Sequence, residues 1–87
     1  MMLARIEGNV VAPHAHPSFK SWRLLICQPI TDAGAPEGNP IVAIDPLGAA
    51  LHQRVIISSD GSAARLAVND ALSPARMMVV GIVDHTE

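Results

Sequence analysis

The stretch Leu3-Ala4-Arg5-Ile6-Glu7-Gly8-Asn9-Val10-Val11 alternates. Ala4, Ile6, Gly8 and Val10 share one face of an extended chain, and Arg5, Glu7 and Asn9 share the other. A period of two is the mark of a half-buried β-strand. Gly8 inside the pattern predicts a bulge or sharp coil of the kind a small barrel needs. Ala12-Pro13-His14-Ala15-His16-Pro17-Ser18 follows and reads as a loop held between two prolines. Trp22 to Gln28 is a second strand, closed by Pro29. Here both faces are apolar: Trp22, Leu24 and Ile26 on one, Leu25 and Cys27 on the other. Such a strand must be covered on both sides, by the domain core and by either a loop or a neighbouring subunit.

Thr31 to Pro40 is a turn-rich surface connection. Ile41 to Asp45 is a third strand, and Pro46-Leu47-Gly48-Ala49 turns the chain. Arg54 to Ser58, with β-branched Val55, Ile56 and Ile57, is a fourth. After the Ser59-Asp60-Gly61 turn, Ser62 is placed to cap a helical turn through Ala67. Met77 to Asp84 is the last strand, apolar on both faces around Gly81. No internal repeat or low-complexity tract is present. The pattern predicts an all-β fold: a small five-stranded OB-like β-barrel with one short helix between strands four and five, in a single domain over residues 1–87. Parallel βαβ units are excluded, because no helical segment separates successive strands.

The chain has 87 residues, of which 49% are hydrophobic and 16% charged, with a formal charge of −2. That composition excludes an intrinsically disordered chain. With no basic excess it argues against a protein that grips nucleic acid through phosphates. One Trp, one Phe and no Tyr leave little for base stacking. A chain this short buries only about 60–65% of its unfolded surface, so apolar surface is left over, and an oligomer is the simplest way to cover it. Met1 to Glu7 places charges where a secretory leader needs an apolar run, and no stretch approaches the ~18 apolar residues of a membrane span. A soluble cytoplasmic protein is expected, with no membrane and no nucleic acid among its partners. The single Cys27 reads as a buried, inert thiol.

Chemistry-bearing clusters are sparse. His14 and His16 share a face if extended, yet no Cys or carboxylate cluster accompanies them, so no metal is expected. Ser58, Ser59 and Ser62 lie near Asp60 without a neighbouring histidine base, so no catalytic residue is assigned. The Asp60-Gly61-Ser62-Ala63-Ala64-Arg65 stretch lacks the glycines and Lys-Ser/Thr ending of a phosphate loop; it reads as a turn with a cap, or as small residues that let subunits approach. Arg23, Arg54, Arg65 and Arg76 suit a subunit boundary through their planar, multiply donating heads. No cofactor is expected.

The order of these pieces resembles the bacterial microcompartment vertex proteins, the EutN/CcmL family, over Leu3 to Asp84. Leu3 to Val11 matches the family's first strand, with its glycine before a Val-Val pair. His16-Pro17-Ser18 and Trp22 to Pro29 match the second strand with its terminal Gln-Pro. Val42 to Ala49, Gly61-Ser62-Ala63-Ala64-Arg65 and Val80-Gly81-Ile82-Val83-Asp84 match later segments. Ala63 stands where the family commonly has a second serine, Ser21 where it has a glycine, and Ser73-Pro74-Ala75-Arg76 where Pro-Val-Asp is commoner. The resemblance implies a non-enzymatic shell protein: a homopentamer that caps the fivefold vertices of an icosahedral shell otherwise tiled by hexameric and pseudohexameric shell proteins. It implies Ser59, Asp60, Gly61, Ser62, Ala63 and Arg65 near an axial opening. It places Trp22, Arg23, Arg65, Arg76, Met77 and Met78 at or near subunit boundaries. The alternative from a different class is an OB-type binding module for a small ligand or oligonucleotide; it predicts a monomer or dimer with a basic, aromatic groove.

Overall fold

A computed structural model describes residues 1–10, 23–61, 64, 66 and 76–83. Among these residues the chain forms five strands: β1 (Met2–Asn9), β2 (Arg23–Pro29), β3 (Ile41–Asp45), β4 (Arg54–Ser58) and β5 (Met78–Val83). They close into a barrel in the order β1-β2-β3-β5-β4. Neighbours are antiparallel except β3 and β5, which run parallel and meet at Ile44 and Met78. The expected all-β barrel is therefore the observed one, and β3 and β4 have the bounds read from the sequence. Closure leaves the sheet without an open edge.

The barrel interior is a cluster of Ala4, Ile6, Leu25, Cys27, Ala43, Ala49, Val55, Ile57 and Val79. Small side chains alternate with branched ones because a five-stranded wall encloses little space. In β2, Leu25 and Cys27 point in, while Leu24 and Ile26 are half-buried on the outer wall. The doubly apolar reading of this strand thus corresponds to two different environments.

The bulge expected around Gly8 is present. Ile6 pairs with Cys27 and Gly8 with Ile26, so Glu7 is an extra residue in β1. It also corrects the face assignment. An inserted residue reverses which side of the sheet follows it, so Gly8 joins Ile26 on the outer wall instead of continuing the Ala4–Ile6 face. A second irregularity lies between β4 and β5: Ile56 pairs with Gly81 and Ile57 with Val79, leaving Val80 unopposed.

The helical turn begins earlier than Ser62. Gly61, Ala64 and Leu66 have helical backbone, and the Ala64 N–H donates to the Asp60 carbonyl at 3.2 Å. The cap position therefore falls to Asp60, a residue type that suits it; Ser62 lies outside the described residues. Ala64 is fully buried in a second apolar cluster with Ile44, against which Leu24 and Met78 pack. That cluster covers the β3–β5 seam.

Candidate assembly surface

Strand register determines what the outer wall presents. Val42, Ile26 and Gly8 lie side by side across β3, β2 and β1. The next row is polar: Gln28, Arg5 and Arg54 across β2, β1 and β4. Beyond it Leu3, Ile56 and Gly81 lie side by side across β1, β4 and β5. Two apolar rows are thus separated by a polar band. Arg5 and Arg54 are direct cross-strand partners, an arrangement that like charges disfavour. The pair is relieved on each side. Arg5 Nε donates to Glu7 Oε1 at 2.6 Å, and Arg54 Nη1 reaches the Asp32 carbonyl at 3.4 Å. Val42 is 50% exposed, and Leu3, Ile26 and Ile56 are half-buried.

One end of the barrel gathers several residues singled out in the sequence. Arg23 pairs with Asp45, Leu24 with Ile44, Ile44 with Met78, and Met78 with Ser58. The starts of β2 and β5 and the ends of β3 and β4 therefore meet there. Ser59 and Asp60 are exposed just beyond β4, and Gly61 is half-buried. The Asp60 N–H donates to Ser58 Oγ at 3.2 Å. Arg76 is exposed, Met77 packs against the main core and Met78 against the second cluster. Trp22, Ser62, Ala63 and Arg65 lie outside the described residues, as do His14 and His16.

Asp45 organises this end, a role the sequence did not single out beyond the Asp45-Pro46-Leu47-Gly48 turn signal. Its buried carboxylate accepts from the N–H groups of Leu47 at 2.9 Å, Gly48 at 3.1 Å and Ala49 at 2.8 Å. Arg23 Nη1 completes the set at 3.0 Å. A desolvated carboxylate is tolerable when its lone pairs are filled in this way. Arg23 is thereby held within its own chain while about half its side chain stays exposed. Beside it, Asn9, Val10, Arg23 and Leu24 line a shallow, open depression of about 210 Å³.

Cys27 is fully buried, and its thiol donates to the Leu25 carbonyl at 3.7 Å. Burial first, and the Asp45 carboxylate second, push its pKa up to about 11. At neutral pH it is a protonated, non-nucleophilic thiol. Among the described residues every buried side-chain nitrogen or oxygen has a hydrogen-bond partner. No group of three metal-ligating side chains occurs among them.

Comparison with known proteins bears on this surface. The family model described as "Ethanolamine utilisation protein EutN/carboxysome" matches residues 1–84. The bacterial microcompartment shell vertex protein EutN of Salmonella typhimurium is 39% identical over 98% of this chain and 85% of its own length. The carboxysome shell vertex protein CcmL of Gloeobacter violaceus is 37% identical over 97% of this chain and 83% of its own. Among solved structures, the pentameric microcompartment shell protein GrpN of Rhodospirillum rubrum superposes with a TM-score of 0.83 at 34% identity. It covers 100% of this chain and 98% of GrpN.

Proposed function

This chain belongs to the EutN/CcmL family, and we propose that it is a structural, non-catalytic protein of a bacterial microcompartment shell, a homopentamer that caps the shell's fivefold vertices. The observation that carries the reading is full-length similarity to GrpN, a pentameric shell protein, at a TM-score of 0.83, beside relatives named as shell vertex proteins. It places the protein in the shell, within the bacterial cytoplasm. A sheet of hexameric tiles is flat, and replacing a sixfold position by a fivefold one introduces the curvature that lets it close.

Residues 1–87 act as one domain in this reading. Hexameric and pseudohexameric shell proteins are the neighbours of the pentamer, and neither nucleic acid nor a membrane is a partner; the formal charge of −2 supports the former exclusion. The barrel end bearing Ser59, Asp60 and Gly61, with Ser62, Ala63 and Arg65 following, faces the fivefold axis and surrounds the axial opening. Trp22, Arg23, Arg76, Met77 and Met78 stand at or near the subunit boundaries there, with Arg65 at both. The gathering of Arg23, Met78 and Ser58 at one end supports this. A binding module needs a basic, aromatic groove, and the relatives' names favour the shell reading over it.

The test is native mass spectrometry at low micromolar concentration, followed by co-expression with hexameric shell proteins. A pentamer is expected, together with closed shells that stay open at their vertices when the gene is omitted. A monomer, or shells that close equally well without it, would overturn the assignment.

A further inference from the structure

We propose that the two apolar rows on the outer wall are the two halves of one head-to-tail joint: the Gly8–Ile26–Val42 row of one copy seats on the Leu3–Ile56–Gly81 row of the next. This rests on the pentamer reading above and adds which surfaces meet. A ring cannot be built from one self-complementary patch, which yields a dimer; each subunit must carry two different surfaces that fit each other. The barrel has two different apolar rows on its outer wall. One is centred on β2 and the other on β4, the strands that flank β1 on opposite sides. The polar Gln28–Arg5–Arg54 band divides them, so they are separate patches and not one continuous face.

The glycines point the same way. Gly8 and Gly81 lie within strands, where glycine weakens the element. Neither adopts a left-handed backbone. Among the described residues a Cβ at Gly8 would meet only Ile26 Cδ1 at 3.9 Å, and one at Gly81 only the Ile56 side chain at 3.9 Å and beyond. These are ordinary contacts, so packing among the described residues does not require glycine at either place. A glycine in a strand is also what close approach of a second surface calls for. One glycine ends each apolar row, which is where a neighbouring wall would press on backbone.

The experiment blocks one row at a time. Val42→Asp disables the first row and Ile56→Asp the second, and both side chains lie on the outer wall. By native mass spectrometry each variant alone is expected to be a monomer. An equimolar mixture is expected to give a heterodimer and stop there, because one intact joint forms and both remaining faces are blocked. Circular dichroism checks folding. Should an Asp variant lose its fold, Gly8→Phe and Gly81→Phe decide the matter in the same way. A variant that stays pentameric, or a mixture of folded variants that stays monomeric, overturns the pairing while leaving the pentamer intact. A wild-type monomer instead overturns the pentamer reading on which it rests.

Discussion

Asp45 shows how much of the fold hangs on single polar contacts. Its carboxylate fills three backbone N–H groups of the β3–β4 turn and one guanidinium N–H. Asp45→Ala leaves those donors without an acceptor and is expected to cost about 3–5 kcal/mol, read as a fall in urea midpoint. Cys27 makes a different prediction, about pH. Well below its ordinary value of 9.0 the thiol is protonated in folded and unfolded chains alike. Between its ordinary value of 9.0 and its folded value of about 11, the unfolded chain has lost the proton and the folded chain still holds it. The unfolded state is therefore favoured as pH rises, and stability falls by about 3 kcal/mol across that window. The chain has no Tyr and one Lys, Lys20, so few other groups titrate there. Urea unfolding across the window should show this slope in the wild type and little of it in Cys27→Ala.

At the scale of elements, the weak point of the barrel is the β3–β5 seam. There β3 and β5 meet at a single parallel pair, Ile44 with Met78. The seam is closed from outside by the helical turn, whose Ala64 is 0% exposed against Ile44, Leu24 and Met78. A larger side chain has no room in that position. Ala64→Leu is expected to lift the turn and cost about 1–3 kcal/mol, with hydrogen exchange accelerating at Ile44, whose N–H donates to the Met77 carbonyl at 3.0 Å. Unchanged protection at Ile44 would show that the turn does not hold the seam. Among other local devices, Gly34 has φ +90°, and a Cβ there would lie 2.6 Å from Arg54 Nη2. This glycine serves both a turn and a close approach.

At the scale of the whole molecule, the governing fact is excess apolar surface. A five-stranded wall has room inside for one residue in two along each strand. Yet β2 and β4 carry apolar residues at successive positions, and Leu24, Ile26 and Ile56 are left on the outside. Leu24 is covered by the helical turn; Ile26 and Ile56 have no such cover among the described residues. In a pentamer these outer residues become core, as in obligate interfaces, which resemble a domain interior divided in two. Dilution should therefore lower the melting temperature as the oligomer dissociates, because the free barrel exposes Ile26 and Ile56. Sedimentation paired with thermal melts over a concentration series tests this, and a melting temperature that does not change on dissociation would contradict it.

The number of strands, the bounds of β3 and β4, the inner Ala4–Ile6 face and a bulge near Gly8 were all legible in the sequence. These are local properties: period-two alternation, β-branching and turn residues act within a few positions of one another. The vertex-protein resemblance was legible too, because it lies in the order of short motifs along the chain. Which faces Gly8 and Ile56 occupy, and which outer residues line up in rows, depended on register. A single inserted residue at Glu7 reverses the faces, and its place is set by pairing with a strand more than ten residues away. The same holds for Asp45, whose partners include Arg23 on another strand, and for Asp60 displacing Ser62 as the cap. Alternation says that a strand has two faces; only closure of the barrel decides which face is inside and what the other is left to meet.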